Sequence, residues 1–373
     1  MTAPLEFEIT ARDGAARRGL LRTRCGVLET PAFMPVATYG VVRGVSPRDL
    51  IYLGAQILLA NTFHLHERPG EEAIAKAGGL HGWSGWRGPW LTDSGGYQVT
   101  SLAERARVSE EGVAFASPLD GRRRLLTPES AVAIQEALGA DIAMVLDECI
   151  STGGADAERS AAAMERSLRW AERCARARRR GDQALFGIVQ GGSDVALRQR
   201  SARALAGLGF DGIAHGGLGL GEESELRAAL VAEAHNAWPE QQPRYLMGLG
   251  RPEDLVAGIA QGVDLFDCVI PTRHARHGML FTSAGSLAIR NARFAGDDDP
   301  PDPGCACPAC SSHSRGYLRH LFQVGDALGP RLATLHNLRF YFQLLERARR
   351  AITSGSFAAL HAEVAAAART RVA

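Results

Sequence analysis

Carboxyl and amide side chains stand where several short apolar runs of this sequence end. Asp93, Asp147 and Gln190 each follow such a run, and Asp267 lies within one. Two carboxylates that face one cavity can divide the work of a nucleophile and a general acid or base. A single aspartate at such a position is as often a helix cap or a turn former. Several polar residues in this pattern favour a shared functional site.

The segments beside these residues are suited to a flat ligand. Asp93 leads into the stretch Ser94–Tyr97, whose glycines allow close approach of the backbone and whose tyrosine offers a stacking face. Met247 is either core filler, the commoner fate of a methionine, or one wall of a base-binding slot. The glycine-rich stretch 217–221 lacks the spacing of a dinucleotide site, although its amides could still contact a ligand edge.

A cysteine cluster has the spacing of a metal site. Cys305, Cys307 and Cys310 bring three thiols together, and His336 can complete a tetrahedral Zn²⁺ shell. Such a shell leaves no ligand position for water, so the metal would be structural. His313 is nearer in sequence and competes as the fourth ligand. A cytoplasmic location keeps cysteines reduced, which disfavours a disulfide here.

Histidines near the second strand end offer a competing metal chemistry. His64 and His66 resemble the pair of a barrel metal hydrolase, but such a site also needs histidines at later strand ends, where this sequence has Gln190. Ordinary packing is the favoured interpretation of both histidines, and the hydrolase is kept as an alternative function. The roles of His66 and His215 stay open.

The elements that would position these residues alternate between short apolar runs and amphipathic segments. With 373 residues, of which 46% are hydrophobic, the chain can bury a sizeable core. Candidate strands end near Pro35, Asn61, Asp93, Asp147, Gln190, Gly217, Gly248 and Pro271. Eight such strands with helices between them predict an α/β fold, the closed (β/α)₈ or TIM barrel, with functional residues at the carboxyl ends of the strands.

Segments outside the barrel pattern suggest further units. A hairpin over residues 7–24 is predicted to cap one end of the barrel, and the stretch between the third and fourth strands leaves room for an insertion. The composition changes at the Asp- and Pro-rich stretch 297–304. We predict a catalytic barrel over 1–290, a zinc-binding subdomain over 291–345, and C-terminal helices that pack back on the barrel over 346–373.

Charge and composition exclude several kinds of chemistry. The net charge of +1 provides no field over the whole protein that would attract nucleic acid, so any such site must be a local patch. Lys76 is the single lysine, and it lies in a helical-looking run, which disfavours Schiff-base chemistry and a P-loop. The sequence has neither a secretory signal nor a long apolar run, so we expect a soluble cytoplasmic protein without membrane contact.

Basic residues form two groups. Arginines between residues 173 and 180 lie near the end of a polar helix, where a solvated face is the favoured interpretation. Arg273 and Arg276 follow shortly after Asp267, with two further histidines around them. This second group is suited to contacts with phosphates or bases beside the site.

Taken together, these motifs resemble the tRNA-guanine transglycosylase family over essentially the whole chain. The matching stretches are 33–36, 61–65, 68–70, 92–99, 147–149, 190–191, 216–218, 245–248, 266–268 and 271–273, with the cysteine cluster and His336. Their combination is far more specific than any one of them. The family is a zinc-bearing variant of the (β/α)₈ barrel, so the resemblance and the periodicity agree.

The resemblance implies base exchange on tRNA, with one structural Zn²⁺ per chain and no organic cofactor. Family members exchange guanine at the wobble position of tRNAs with GUN anticodons (those for Asp, Asn, His and Tyr) for a 7-deazaguanine. By resemblance, Asp267 is the nucleophile that attacks C1′ of the ribose, and Asp93 is the general acid and base. Two displacements through a covalent RNA–enzyme intermediate preserve the sugar configuration, as in retaining glycosidases.

The resemblance also assigns binding residues. Those for the base are Ser94, Tyr97, Asp147, Cys149, Gln190, Gly217, Leu218, Gly219 and Met247, and those for the anticodon loop are Thr272, Arg273 and Arg276. Asp147 and Gln190 match groups that bond a guanine-like edge, while Tyr97 and Met247 match its stacking walls. A wrong base would leave buried donors or acceptors of the site unpaired, so the site would reject it strongly.

Departures from the family pattern affect the expected base. Cys149 indicates a bacterial-type enzyme of queuosine biosynthesis, which takes the aminomethyl precursor preQ1. The departures from usual bacterial residues are Ile150–Gly153, Val189, His215 and Gly219–Leu220. A smaller residue at 219 could enlarge the pocket, which keeps queuine, the larger base of eukaryotic enzymes, as an alternative.

Quaternary structure is also implied by the resemblance. The bacterial homodimer of the family uses an aromatic cluster, and Trp83, Tyr317 and His320 fit it, whereas His313 stands where the family has a tryptophan. A homodimer is therefore predicted. A non-catalytic partner subunit that only holds tRNA is a further alternative, although such subunits usually lose catalytic residues that this chain keeps.

Overall fold

The computed structural model describes residues 3–102, 106–150 and 157–368. Its strands are β1 Leu5–Asp13, β2 Ala16–Thr23, β3 Gly26–Thr30, β4 Ala32–Pro35, β5 Leu58–Ala60, β6 Trp90–Thr92, β7 Arg107–Val108, β8 Val113–Ala116, β9 Arg123–Leu126, β10 Ile142–Met144, β11 Ala184–Val189, β12 Gly212–His215, β13 Arg244–Leu246, β14 Leu265–Cys268, β15 Met279–Thr282 and β16 Gly285–Ala288. Its α-helices are α1 Pro47–Leu53, α2 Thr62–Glu67, α3 Glu71–Lys76, α4 Gly79–Ser84, α5 Gly96–Leu102, α6 Pro128–Leu138, α7 Ala157–Ala177, α8 Val195–Ala206, α9 Ser224–His235, α10 Pro252–Ala260, α11 Ile270–Arg276, α12 Pro308–Ser312, α13 Arg315–Val324, α14 Leu328–Ser354 and α15 Phe357–Ala368, with a 3₁₀ turn at Ala292–Phe294.

Eight of the strands form one parallel sheet that closes on itself. Its order is β4-β14-β13-β12-β11-β10-β6-β5, and every hydrogen-bonded pair in it is parallel. A parallel bridge between Val36 and Leu59, with Ala37 N donating to Leu59 O at 2.7 Å, joins the two ends of this order. The predicted α/β barrel is confirmed, and each predicted strand is present.

The strand sequences explain why this sheet is covered on both faces. All residues of β4, β5, β6, β10, β11 and β12 are buried. Such strands need helices on one face and a packed barrel interior on the other. Local signals begin and end the covering helices: Thr127 caps α6 by accepting from Ser130 N, and Gly139 ends it at a φ of 73°. The loops after the strands form what we call the carboxyl rim.

Two small antiparallel sheets lie outside the barrel. One, formed by β7, β8 and β9, occupies the stretch for which an insertion is predicted. The other contains β1, β2 and β3, so the opening hairpin has a third strand that the sequence analysis did not predict. Arg17 of β2 donates to Asp264, the residue before β14, at 2.9 Å. This sheet therefore lies at the amino ends of the barrel strands, away from the carboxyl rim.

The chain after β14 forms α11, the hairpin β15–β16, and the helices α12 to α15. Helix α14 lies against the barrel, where Arg349 Nη1 donates to Pro31 O at 2.8 Å and Tyr341 OH donates to Gly250 O. The predicted boundary between residues 345 and 346 falls inside α14. The division of the chain into three domains stays a prediction.

Two further points concern the helices. The polar helix expected to end near the arginines between residues 173 and 180 is observed as α7, Ala157–Ala177, and residues 151–153 of the departing stretch Ile150–Gly153 lie outside the described ranges. Within the described residues, no helix combines the length and the apolar character that a membrane crossing requires.

Candidate active site

Asp93 lies among hydrogen-bond donors directly after β6. Its carboxylate accepts from Thr62 N at 2.9 Å, from Gln98 Nε2 at 3.0 Å and from Gly95 N at 3.2 Å, and it also accepts from Asn61 Nδ2. Only 8% of the residue is exposed, and this burial raises its pKa to about 6 although the donors oppose the rise. A carboxyl group with such a pKa can both give and take a proton near neutral pH.

Asp267 belongs to β14 and is partly exposed at the carboxyl rim. Its Oδ1 accepts from Tyr245 OH at 2.6 Å and from Gly248 N at 2.8 Å. Burial of the carboxyl group raises its pKa, and both donors oppose that rise because they favour the charged form. The charge of Asp267 also contributes to the raised pKa of Asp93, so the two carboxyl groups lie near each other. Asp267 can act as a nucleophile that its two donors hold in place, and Asp93 can transfer a proton.

Asp147 and Gln190 form a second polar pair, after β10 and β11. Gln190 Nε2 donates to Asp147 Oδ2 at 2.6 Å, and Gln190 Oε1 is buried without a hydrogen-bond partner among the described residues. Burial raises the pKa of Asp147 to about 6. Carboxylate and amide oxygens accept hydrogen bonds, so this pair is suited to a ligand edge that carries N–H donors.

The loop after β12 approaches this pair so closely that it requires glycine. A Cβ added at Gly216 would lie 2.4 Å from Gln190 Nε2, and one at Gly217 would lie 2.8 Å from Gln190 Oε1. A Cβ at Gly219 would lie 2.6 Å from Leu249 Cδ2. The side chain of Leu249 therefore occupies the space that a small residue at 219 could otherwise open.

Cys149 contacts the same loop as a neutral thiol. Burial, together with the nearby charge of Asp147, raises its pKa to about 12, while the Gly217 amide donates to the sulfur and partly opposes this rise. A thiol with such a pKa is protonated at neutral pH, so Cys149 is poorly suited to nucleophilic attack. Its place beside Gln190 is compatible with a contact to the ligand.

The other residues predicted to bind the base, besides Asp147, Gln190, Cys149 and the glycines, differ in how far they are buried. Ser94 is buried, and its Oγ accepts from Gly96 N at 3.3 Å, which holds the turn after Asp93. Leu218 is also buried, Met247 is half-buried against the core, and half of the Tyr97 side chain is exposed on the first turn of α5.

Helix α11 carries the predicted RNA-binding residues directly after β14. Arg273 is exposed and Arg276 is half-buried, and neither pairs with a carboxylate of the described chain. Burial and the positive charges of Arg43 and Arg273 lower the pKa of Arg276, so the three guanidinium groups lie near one another. Such a group is suited to phosphates. Thr272 differs, since it is buried and its hydroxyl donates to Val269 O at 3.2 Å.

A second centre lies after the eighth barrel strand. Cys305, Cys307, Cys310 and His336 are buried, and their ligand atoms all lie within 4.8 Å of one another. His336 Nδ1 lies 3.2 Å from Cys310 Sγ, and His336 Nε2 lies 2.8 Å from the Phe281 carbonyl oxygen, to which it must donate. This bond turns Nδ1 toward the sulfurs, as second-shell bonds do in metal sites. The cluster could hold a metal ion in a closed tetrahedral shell.

Three other histidines have different partners. His313, the competing fourth ligand, stacks on Tyr317 with ring centroids 5.0 Å apart. His66 Nδ1 lies 2.7 Å from a carboxylate oxygen of Glu71. Within the described residues, neither His64 nor His66 belongs to a cluster of potential metal ligands. The geometry therefore gives no support to the metal hydrolase.

His215 ends β12 as part of a buried pair. Its Nε2 lies 2.8 Å from His235 Nε2, and His235 Nδ1 lies 2.8 Å from Gln261 O. The carbonyl oxygen only accepts, so His235 Nδ1 donates to it and His215 Nε2 donates to His235. Burial, with nearby positive charges, lowers the pKa of His215 to about 3, so the pair is neutral.

The fold and the site define a class of (β/α)₈ barrel proteins that carry buried carboxyl groups on the carboxyl rim. Residues 13–370 match the family described as TGT: Queuine tRNA-ribosyltransferase, and the chain belongs to this family.

Similar proteins carry the name Queuine tRNA-ribosyltransferase in three organisms. The chain is 53% identical over 360 residues to that of Stenotrophomonas maltophilia (strain K279a), with 95% of each chain covered. It is 53% identical over 356 residues to that of Xylella fastidiosa (strain 9a5c), with 95% of this chain and 92% of the relative covered. It is 53% identical over 358 residues to that of Xanthomonas euvesicatoria pv. vesicatoria (strain 85-10), with 95% and 93% covered.

Sequence reasoning assigned no role to the groups that hold the carboxylates. Asn61 and Thr62 directly follow β5 and Tyr245 lies within β13, and their places in motifs that carry the resemblance were the available signal. Glu222 was also missed, although it accepts from Gly219 N at 2.5 Å and from Leu220 N at 3.2 Å. It thereby holds the loop that faces Gln190.

Proposed function

We propose that this chain is a tRNA-guanine transglycosylase that replaces guanine with preQ1 at the wobble position of GUN tRNAs, in queuosine biosynthesis. The observation that carries the proposal is the pair Asp93 and Asp267, two carboxyl groups that lie near each other at the carboxyl rim. The family and the names of the relatives support the tRNA substrate. The remaining steps follow from the chemistry of this chain's own residues.

In the first step, an Asp267 oxygen attacks C1′ of the guanosine ribose. The C1′–N9 bond breaks, its electron pair goes to the purine, and a carboxylate–ribose ester forms. Asp93, whose raised pKa keeps its protonated form accessible, gives its proton to the departing guanine. Tyr245 OH and Gly248 N orient the nucleophile before attack. The guanine must first be swung out of the RNA stack, which costs about a few kcal/mol.

In the second step, the incoming base occupies the place that guanine left. Asp93, now a carboxylate, removes the proton from the nitrogen that will bond to ribose. That nitrogen attacks C1′, the ester C–O bond breaks, and its electron pair returns to Asp267. Asp93 is again protonated and Asp267 is again ionised, so the cycle needs neither ATP nor an organic cofactor.

Base recognition is assigned to Asp147 and Gln190. A guanine-like edge offers N–H donors that match the Asp147 carboxylate and the unpartnered Gln190 Oε1. Gly217, Leu218 and Gly219 line the opposite side, while Ser94 and Cys149 complete the pocket and Tyr97 and Met247 cover the faces of the base. A base without these donors would leave buried acceptors unpaired and be rejected.

The exchange proposal is tested by incubating the chain with GUN tRNA and labelled guanine. Label should enter the RNA, and Asp267→Asn, which retains the side-chain shape, should abolish both incorporation and the denaturation-resistant RNA adduct. Asp298→Asn removes a carboxylate in an exposed loop and should behave as wild type. Failure of the unaltered chain to incorporate label would refute the proposal, and an adduct that survives Asp267→Asn would place the nucleophile elsewhere.

The preferred base is tested by competition. Unlabelled preQ1 should suppress incorporation of labelled guanine at lower concentration than unlabelled queuine, because Leu249 occupies the space beside Gly219. Equal suppression, or stronger suppression by queuine, would instead assign the chain to queuine salvage.

We also propose that the Cys₃His cluster holds one structural Zn²⁺, since three thiolates and an imidazole are a zinc ligand set without an open position. Its role is to hold a short segment together, and no reaction step involves it.

A homodimer is proposed because Trp83 and Tyr317 are large and partly exposed. A sedimentation mass of one chain at working concentration would contradict the dimer. A tRNA substrate and reduced ligand cysteines support a cytoplasmic location.

A further inference from the structure

Three residues that are far apart in sequence meet at the amino ends of the barrel strands. Cys25 stands in the turn between β2 and β3, His81 belongs to α4, and Asp141 directly precedes β10. Asp93 and Asp267 lie at the opposite end of the same strands. No step of the proposed exchange uses this cluster.

The three side chains offer ligand atoms of different chemistry in one place. One atom of each, the Cys25 sulfur, a His81 ring nitrogen and an Asp141 carboxylate oxygen, lies within 4.8 Å of the other two. His81 Nε2 is 3.0 Å from Asp141 Oδ2. The Cys25 and His81 side chains are half-buried, whereas Asp141 is buried. A solvent molecule can therefore reach the side of the cluster that faces outward.

We propose that Cys25, His81 and Asp141 form a second divalent-metal site, suited to Zn²⁺, with its fourth ligand position open to water. Sulfur, imidazole nitrogen and carboxylate oxygen are the three donor types that zinc uses in proteins, and three protein ligands with one water complete a tetrahedron. This site would differ from the Cys₃His cluster, which leaves no position for water.

Asp141 is held in place independently of a metal. Its Oδ2 accepts from Trp90 N at 2.9 Å and its Oδ1 accepts from Cys25 N at 3.1 Å. These backbone bonds fix the carboxylate against β6 and the β2–β3 turn before a metal binds. Preorganisation of this kind reduces the ordering that binding would otherwise require.

Charged side chains in and around the cluster balance most of the charge of a bound divalent cation. A Cys25 thiolate and the Asp141 carboxylate neutralise a divalent cation, while Arg24 Nε lies 3.8 Å from Asp141 Oδ1 and leaves one excess positive charge. Arg24 is itself paired with Asp182 at 2.9 Å, but Asp182 also pairs with Arg180 at 2.6 Å, so this carboxylate offsets only part of that excess. On metal binding the thiol proton is released, and His81 coordinates through Nε2 with its remaining proton on Nδ1.

The position of the site indicates a stabilising role. It joins the N-terminal sheet, α4 and the start of β10, and the amino end of a barrel serves stability where the carboxyl end serves chemistry. The inference does not depend on the proposed exchange reaction, because its readout is bound metal.

The test compares variants that keep the bonds from the Trp90 and Cys25 backbone amides to Asp141 but lose a ligand. After equilibration with Zn²⁺ and desalting, the unaltered chain should hold about two metal ions, and Cys25→Ser and His81→Gln about one. His361→Gln, a matched change on α15, should still hold about two. Cys307→Ser should remove the other ion, which shows that the two sites are counted separately.

A titration with Co²⁺ gives an independent readout that also detects weak binding. The unaltered chain with its Cys₃His cluster filled by zinc should gain a thiolate-to-cobalt absorption band that Cys25→Ser lacks. Retention of the Cys₃His zinc shows that each variant is folded. The proposal is wrong if Cys25→Ser and His81→Gln bind as much Zn²⁺ and Co²⁺ as the unaltered chain, or if that chain holds only the Cys₃His metal and gains no cobalt band.

Discussion

At the scale of residues, the candidate site is a set of carboxyl groups whose burial lowers the stability of the fold. Asp93 and Asp147 are almost fully buried, and each has a pKa of about 6 because burial disfavours the ionised form. Neither faces an arginine or lysine in an ion pair among the described residues. A destabilised charge of this kind suits the proposed proton carrier and the proposed base-recognition group, so in this proposal function and stability oppose each other.

This opposition leads to a pH-dependent prediction for Asp147→Asn. The folded-state pKa of about 6 lies above the unfolded value near 3.9. The folded chain therefore binds more protons between these values, and the contribution of Asp147 to stability is lost as pH rises through about 6. Asparagine stays neutral, so the variant should be more stable than wild type at about pH 8, by up to about 3 kcal/mol, and by much less at about pH 4.

The measurement is urea unfolding of both chains at the two pH values, with guanine exchange assayed in parallel. Exchange should fall by about 100-fold or more, because the acceptor for the base N–H groups is lost. Asp298→Asn serves as the exposed control and should change neither quantity. An equal stability difference at both pH values would contradict the assigned protonation behaviour.

At the scale of elements, α14 connects the Cys₃His cluster to the predicted RNA-binding helix. His336 and Asn337 are neighbours on α14, and His336 bonds the β15 carbonyl at Phe281. Asn337 Nδ2 donates to Pro271 O at 2.9 Å and to Met279 O at 3.0 Å, and Asn337 Oδ1 accepts from Phe281 N at 3.0 Å. The metal cluster, the hairpin and α11 are thus held by adjacent residues of one helix.

Replacing this asparagine should weaken the whole connection. Asn337→Ala leaves two carbonyl groups and one amide without their partner in a buried position, so the free energy of unfolding should fall by about 3 kcal/mol or more. Denaturant unfolding measures the loss. Asn236→Ala, an exposed asparagine after α9, should cost less than about 0.5 kcal/mol. A loss no larger than that of the control would show that the connection carries little of the stability.

At the scale of the whole molecule, a net charge of +1 is combined with a local positive group. The arginines that end α7 are largely paired, as with Arg173 and Glu129 at 2.7 Å, and Arg176 and Glu172 at 3.1 Å. Among the described residues, Arg273 and Arg276 instead pair with no carboxylate, and they lie on α11, directly after the strand that carries Asp267. Affinity for RNA should therefore depend on a few placed guanidinium groups and the flipped base rather than on a broad surface field.

This view predicts a shallow salt dependence of tRNA binding. Each phosphate contact in single-stranded RNA contributes about −0.7 to the slope of log affinity against log salt. Arg273→Gln and Arg276→Gln should each reduce the slope by about this amount, while exchange of the base in saturating tRNA persists. Arg176→Gln, whose arginine is already paired on α7, should leave the slope unchanged. Filter binding or fluorescence titration over a salt series measures it, and slopes unaltered by both variants would remove α11 from the RNA interface.

The barrel and much of the site were predictable because their signals are local. The run Ala184–Val189 is apolar throughout, as a strand buried on both faces requires, and it is followed at the rim by Gln190. Eight such strands and the carboxyl-end rule place Asp93, Asp147, Gln190 and Asp267 on one rim. The spacing of the three cysteines likewise indicates a metal cluster. Their roles came from the resemblance, since spacing alone cannot distinguish a nucleophile from a turn former.

The sequence by itself determined which residues end the strands and which cysteines lie together, because strand periodicity and short spacings act over a few residues. Tertiary structure alone decided other partners across long separations: Tyr245 on Asp267, and the meeting of Cys25, His81 and Asp141. It also decided the raised pKa values, since burial depends on everything packed around a group. Contact and desolvation are properties of the folded chain, and no local pattern encodes them.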